Sequence, residues 1–287
     1  MFTIISLYDR AMPEGPEVKY LCNLLNTAYK SQTLNSLQIL SGRYTKKPPV
    51  NLKNFTTSLP AQIHAIQNKG KFLYITLNNG WYIWFTLGLT GTFYKNCEGK
   101  ARDERGIYID KYCRIRFNTS THPFFFSDMR NFGTIAFHKS PELLEKKLNE
   151  LGDDPLEATT PKITAEQLKN FKTAIRKQRN QNQPIGALLL NQKVLAGVGN
   201  YIRSMALYQA KISPHRPLAS LTDADISKLY TAIKRIMWAS YKKQLKSGLH
   251  TFKLQIYRKT HSPNGYPVIA DEMPKGRTIY WVKESQH

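Results

Sequence analysis

The run Phe72-Leu73-Tyr74-Ile75-Thr76-Leu77 enters Asn78-Asn79-Gly80 and leaves through Trp81-Tyr82-Ile83-Trp84-Phe85. Two aromatic and β-branched stretches about an Asn-Gly turn read as a β-hairpin. Further β-rich segments at 113–118, 123–127 and 133–138 extend it into an antiparallel sandwich or barrel. Ahead of them, Val18, Leu21, Cys22, Leu25 and Ala28 fall at helical spacing, predicting an amphipathic helix over 16–31. The pattern changes at Leu151-Gly152-Asp153-Asp154-Pro155-Leu156, an acidic link where a domain boundary is placed. Beyond it, Thr222-Asp223-Ala224-Asp225 reads as a capping box. Ile226, Leu229, Tyr230, Ile233, Ile236 and Met237 form the apolar stripe of the long helix that follows, with Gly248 ending it. The expected fold is therefore α+β, with a β-rich half followed by a helical half.

The 287 residues hold 42 Lys and Arg against 20 Asp and Glu, a net charge of +22. Such an excess concentrates polyanions at the surface, and nucleic acid is the leading partner. A 41% apolar share argues for a packed body rather than a disordered basic tail. Cys22, Cys97 and Cys113 form no C-x-x-C pair and no zinc spacing, which reads as a reducing, intracellular compartment, nuclear or cytoplasmic. No apolar run approaches the about 18 residues of a membrane span. Residues 1–12 carry an apolar patch without a preceding basic region, unlike a secretory signal, and are expected to be absent from the active form.

That expectation rests on Met12-Pro13-Glu14-Gly15-Pro16-Glu17-Val18. If Met12 initiates and is removed, Pro13 presents a secondary amine, with a pKa of about 8 for a chain terminus. Such an amine attacks the anomeric carbon of a nucleotide sugar and expels the base. The resulting iminium cannot lose its charge by deprotonation, so it acidifies the neighbouring sugar protons and leads to strand breakage. Glu14 and Glu17 are placed to move the protons. The plainer alternative is a proline-stiffened loop opening a helix whose first turn favours acidic residues.

Residues 184–190 are joined by Asn191-Gln192-Lys193-Val194-Leu195-Ala196-Gly197-Val198-Gly199-Asn200 to a second helix near Tyr201. Gly197 and Gly199 permit close backbone approach, and Asn200 lies at a helix N-terminus that favours a phosphate. A pair of helix caps without a ligand is the competing reading.

Taken in order, PEGPEV, NKGKFLYI, LGLTGTF at 87–93, SDMRNFG at 127–133, LGDDPL, NQKVLAGVGNYIRS and GRTIYW make the chain resemble the Fpg/Nei family of bifunctional DNA glycosylases from Pro13 to Gln286. The resemblance implies an N-terminal antiparallel β-sandwich with flanking helices over 13–150, a helix-two-turn-helix domain over 151–250 and a finger over 251–287. It makes Pro13 the nucleophile, Glu14 the principal proton-transfer residue and Glu17 a supporting acid. Lys71, Asn200 and Arg277 would hold phosphates around the lesion. Leu89, Arg130 and Phe132 match the residues that fill the gap left by an extruded nucleotide, although Leu89 and Phe132 could equally be core residues. Asn131 stands where many relatives carry a second arginine. The implied partner is damaged DNA, duplex or single-stranded, bound by a monomer that needs no cofactor and no membrane.

Relatives usually end in a zinc finger, but the ungapped alignment through Arg277 puts Val282 and Ser285 at two cysteine positions. Neither supplies a thiolate. Segments 252–259 and 277–284 have β character and are expected to pair as a hairpin, resembling the zincless finger of the endonuclease VIII-like 1 subfamily, with no metal. Only residues 246–251 separate the last long helix from the finger, which resembles the Nei side and points to oxidised pyrimidines, formamidopyrimidines and abasic sites. The expected activity is base excision repair glycosylase action followed by β,δ-elimination. A non-catalytic protein that binds DNA lesions or junctions is the alternative from another class, and a basic structural or ribosomal component a weaker third.

Overall fold

Aromatic side chains that alternate along neighbouring strands need a common apolar interior, and the N-terminal half is organised around one. In the computed structural model, residues 13–97, 99, 101–103, 106, 108–157, 160–274 and 277–287 are described. The 1–12 extension lies outside them, as does Gly276 of the GRTIYW motif. The chain divides into two compact units, one of 18–147 with Pro13 and one of 148–287 with 14–17.

In the first unit, helix α1 (Gly15–Tyr29) contributes its residues from Val18 onward. Strand β1 (Thr33–Ile39) and short helices α2 (Arg43–Lys46) and α3 (Leu52–Thr56) follow, then β2 (Ala61–Lys69), β3 (Phe72–Leu77), β4 (Tyr82–Thr86), β5 (Gly91–Tyr94), β6 (Cys113–Thr119), β7 (Phe124–Asp128) and β8 (Thr134–His138). The strand order is β5-β7-β6-β1-β2-β3-β4-β8, antiparallel throughout. Only Thr33↔Gln62 and Leu34↔Ala61 join β1 to β2, so two four-stranded leaves meet at a short seam and close as a sandwich. Phe85 of β4 packs on Phe93, Phe117 and Phe126 of the other leaf, with ring centroids 5.2, 6.0 and 5.9 Å away. Each fully buried phenylalanine contributes about 1.5–3 kcal/mol, and this cluster is the core of the unit.

The expected 72–85 hairpin is present, Leu73 facing Phe85 and Ile75 facing Ile83. The cysteines differ from expectation. Cys97 and Cys113 are joined as a disulfide with Cα atoms 6.3 Å apart. Their sequence spacing hides this, because β5 and β6 both pair with β7 and the two cysteines sit just past the end of β5 and at the start of β6. Cys22 is free and buried.

In the second unit, the end of α4 (Pro141–Asn149) leads to α5 (Ala165–Arg176), α6 (Ile185–Leu188), α7 (Asn200–Ala210) and α8 (Asp223–Ser247), then the hairpin β9 (Ile269–Met273) and β10 (Arg277–Trp281). The Thr222–Asp225 capping box opens α8 and Gly248, at φ 86°, closes it. All six residues of the expected α8 stripe are buried. The first helix of the helix-two-turn-helix is only the four residues of α6, because Asn191 onward turns through successive short backbone bonds. The hairpin is a further correction, for its partner strand is 269–273 and not 252–259. Ile256 and Tyr257 are used as buried anchors instead, and Arg258 takes φ 57°, a turn conformation incompatible with a ladder. Among the described residues, no helix is long and apolar enough to cross a membrane.

Candidate active site

Pro13 is half-buried and is followed at once by two buried carboxylates, Glu14 and Glu17, 1% and 4% exposed. Glu17 turns back to accept the Glu14 N–H at 2.9 Å, closing the first turn of α1. The Glu14 carboxylate is used at a distance. It accepts the backbone N–H groups of Gly199 at 2.7 Å, Tyr201 at 2.8 Å and Ile202 at 3.3 Å. Those are orphan donors of the first turn of α7, whose N-cap, Gly199, provides no side-chain bond. Glu14 therefore caps a helix 185 residues away, at the end where backbone donors and the helix dipole favour an anion.

The glycines make this seat possible. A Cβ on Gly199 would lie 2.5 Å from Glu14 Oε1 and 2.7 Å from its Cγ. The Gly15 N–H donates to the Gly197 carbonyl at 2.8 Å, and a Cβ on Gly15 would meet Met237 at 2.8 Å. Gly197 itself takes φ 92°. The close approach expected of Gly197 and Gly199 is thus made by the start of α1, and the groups they admit are Gly15 and Glu14.

Glu17 sits in a fully buried polar network. Gln244 Nε2 donates to it at 2.6 Å, the Tyr201 hydroxyl lies 3.1 and 3.2 Å from its two oxygens, and the Ser240 hydroxyl is 3.4 Å away. Burial pushes the Glu17 carboxyl up, outweighing the hydrogen bonds that favour its charged form. Burial, followed by the two nearby carboxylates, also holds the Tyr201 phenol well above its ordinary value.

Asn200 is the first residue of α7, and its amide is engaged within the protein. Nδ2 donates to the Thr278 carbonyl at 2.9 Å and Oδ1 accepts Arg203 Nε at 2.7 Å. A phosphate would have to share or displace those bonds. Arg203, fully buried, is the residue that sequence reasoning missed. Its Nη1 donates to the Gly186 carbonyl at 2.7 Å, and its Nη2 to the Arg277 and Thr278 carbonyls at 3.2 and 2.9 Å. Burial lowers its pKa to about 10, so it remains cationic at neutral pH. The signal available in the sequence was an arginine one helical turn after Asn200. Through it α6, α7 and the first residues of β10 become one assembly, from which the Arg277 side chain is exposed. At the far end of β10, Val282 is buried, its N–H donating to Gln286 Oε1 at 2.7 Å, while Gln286 Nε2 reaches the Ile212 carbonyl at 2.8 Å.

The remaining expected residues belong to the first unit. Lys71, half-buried, follows Gly70 in the turn between β2 and β3. Leu89, half-buried, occupies the turn between β4 and β5, and Arg130 and Phe132 the turn between β7 and β8. Phe132 is 58% exposed, which decides against a core role. Asn131 takes φ 55°, a left-handed conformation that asparagine tolerates better than most side chains.

Residues 12–135 match the formamidopyrimidine-DNA glycosylase N-terminal domain, and residues 151–252 the formamidopyrimidine-DNA glycosylase H2TH domain. The formamidopyrimidine-DNA glycosylase of Listeria innocua is 30% identical over 267 residues, covering 88% of this chain and 90% of its own. That of Bacillus cereus is 31% identical over 228 residues, covering 77% and 75%. A crystal structure of Lactococcus lactis formamidopyrimidine-DNA glycosylase non-covalently bound to DNA containing an abasic site has a TM-score of 0.79 at 22% identity, covering 96% of this chain and 99% of that one. The motifs, the sandwich and the helix-two-turn-helix with its C-terminal hairpin converge on one conclusion: this chain belongs to the formamidopyrimidine-DNA glycosylase family, the DNA N-glycosylases of base excision repair.

Proposed function

We propose that the chain is a bifunctional DNA glycosylase and abasic-site lyase whose nucleophile is the Pro13 nitrogen, freed as a chain terminus. The observation that carries this reading is the seat of Glu14. The residue immediately after Pro13 has its carboxylate fixed by three backbone donors of α7, so the start of α1 is held in one place. The unprotonated amine attacks C1′ and the glycosidic bond breaks, its electrons leaving with the base, which takes up a proton. The amine loses its own proton as the sugar ring opens to the iminium. Removal of a C2′ proton then expels the 3′ phosphate, and a second elimination expels the 5′ phosphate. Glu14 is the principal proton-transfer group, and Glu17 a proton-holding neighbour whose raised pKa suits that role.

Lys71, Asn200 and Arg277 hold phosphates around the lesion, with Gly197 and Gly199 shaping the seat beneath Asn200. Leu89, Arg130 and Phe132 fill the gap in the duplex. The β9–β10 hairpin acts as a zincless finger of the endonuclease VIII-like 1 type. The buried Val282 and the Gln286 bridge support that reading, as contacts that tie the hairpin to α7 and its following loop. Substrates are oxidised pyrimidines, formamidopyrimidines and abasic sites. A Lactococcus lactis relative of the same fold has been solved with an oxidized pyrimidine containing DNA, in keeping with this choice.

Borohydride trapping on an abasic-site oligonucleotide tests the mechanism, with the N-terminal mass of each protein determined. Protein beginning at Pro13 should form a covalent adduct, and Pro13→Ala should lose the β,δ-elimination while still binding DNA. Equal strand cleavage by the variant would remove Pro13 from the mechanism, and a DNA-binding Pro13 form without any adduct would leave a non-catalytic lesion binder.

A further inference from the structure

The three side chains assigned to filling the duplex gap come from two turns that are distant in sequence, and one buried carboxylate ties those turns together. Asp128, 1% exposed, accepts the Thr90 hydroxyl and, at 3.3 Å, the Arg130 N–H on Oδ1, and the Gly133 N–H at 2.7 Å on Oδ2. The same Thr90 hydroxyl accepts the Arg130 N–H at 3.0 Å. Thr90 is itself buried and adjoins Leu89, so one hydroxyl touches both gap-filling turns. Backbone packing reinforces the tie. Gly88, at φ 59°, leaves no space for a Cβ, which would lie 2.7 Å from Phe132 C and Gly133 N.

The joined turns are also braced from behind. Arg114 Nε donates to the Asp128 carbonyl at 2.8 Å and Nη1 to the Ser41 hydroxyl at 2.9 Å, while the Tyr44 hydroxyl donates to the Gly133 carbonyl at 2.9 Å. All of these groups lie within the sandwich unit.

We infer that Thr90 and Asp128 are positioning residues that make the Leu89 turn and the Arg130–Phe132 turn one rigid wedge, needed to empty a stacked duplex position and dispensable once the nucleotide is unpaired. The inference rests on the proposed glycosylase reading. Opening a duplex position costs a few kcal/mol, and a wedge ordered in advance spends less of its contact energy on its own ordering.

Thr90→Val, which removes the hydroxyl at nearly constant volume, is the direct test. Thr90→Ala gives the hydroxyl-free form if valine is not accommodated, and Thr90→Ser keeps the hydroxyl. Two readouts are compared with wild type: cleavage of a lesion in duplex against cleavage of an abasic site in single-stranded DNA, and fluorescence of 2-aminopurine placed beside the duplex lesion, which reports unstacking without requiring chemistry. The hydroxyl-free variant should lose at least about tenfold on duplex, because it gives up the bond to Asp128 and leaves the Arg130 N–H only its 3.3 Å bond to Asp128 Oδ1. It should show a blunted fluorescence rise and keep single-strand cleavage, and Thr90→Ser should recover the wild-type ratio. Equal losses on both substrates, or unchanged duplex cleavage with an unchanged fluorescence rise, would overturn the inference. If wild type cleaves neither substrate, the glycosylase reading fails separately, and the fluorescence comparison still decides whether the wedge acts as one body.

Discussion

Gly199→Ala isolates the contact between Glu14 and α7. Gly199 has φ −130°, extended backbone that alanine adopts readily, so the substitution tests space and not backbone strain. The added methyl would lie 2.5 Å from Glu14 Oε1, well inside contact distance. Backbone on both sides is fixed by α7 and by the Gly15 to Gly197 bond, and the carboxylate must leave its seat. Three N–H donors then lose their acceptor. Hydrogen bonds to a charged group contribute about 1.5–3 kcal/mol each. With two bonds below 3 Å and one at 3.3 Å, and partial replacement by water, a net loss of about 3 kcal/mol is expected.

For a unit of roughly this size, that loss lowers Tm by about 6–12 °C. Thermal unfolding followed by circular dichroism reads the stability change, and excision of a duplex lesion reads the function. Glu14→Gln is the reference, since it keeps the volume and loses the charge. Both variants should excise poorly, and the alanine variant should be the less stable of the two. A Gly199→Ala protein with wild-type Tm and wild-type excision would refute the assignment of this glycine to the Glu14 seat.

Glu17, whose carboxyl burial raises, holds its proton more tightly in the folded protein than in the unfolded chain. Its stabilising contribution is complete below the ordinary carboxylate pKa and is lost as pH rises through the raised folded value. Glu17→Gln should therefore flatten the fall of Tm on the alkaline side of about pH 4.5, and an unchanged slope would assign that fall to other groups. Phe132→Ala removes an exposed ring and should move stability by no more than about 0.5 kcal/mol while sharply reducing duplex excision, so a large drop in Tm would place the ring in the core after all. Arg203→Lys cannot reproduce a guanidinium donating to Asn200, Gly186, Arg277 and Thr278. It should cost about 2–4 kcal/mol, checked by chemical denaturation, and a neutral substitution would show that α7 and β10 hold together without it. The Cys22 thiol, pushed up to about 12 by burial, should resist alkylation at pH 8 until the protein unfolds. Rapid labelling of native protein, seen by mass spectrometry, would contradict its burial.

The elements that could be read directly from sequence are those whose cause is local. The Asn-Gly turn and alternating aromatics define the 72–85 hairpin, Thr222 and Asp225 lie three residues apart on either side of the start of α8, and Gly248 supplies the positive φ at its end. The second finger strand was not legible, because Ile269–Met273 carries Ala270, Asp271 and Glu272, poor strand formers. Pairing with β10 holds it, together with a bond from Trp281 Nε1 to Asp271 Oδ2 at 2.6 Å.

The site divides along the same line. The residue types in PEGPEV and GVGN single out Glu14 and Gly199, but neither pattern alone points to the contact that joins them. A first-turn glutamate reads as serving its own helix, and a glycine before a helix reads as room for a phosphate. In the fold each answers the other: Glu14 supplies the cap that α7 lacks, and Gly199 supplies the space that Glu14 needs. A contact made across 185 residues through backbone N–H groups leaves no periodicity and no charge pairing in the sequence. It explains, however, why a short helix start and a glycine-rich turn would have to change together. Both substitutions act on the same three hydrogen bonds, Glu14→Gln by leaving one acceptor oxygen in place of two and Gly199→Ala by displacing the group, so combined they should cost less than the sum of their separate effects.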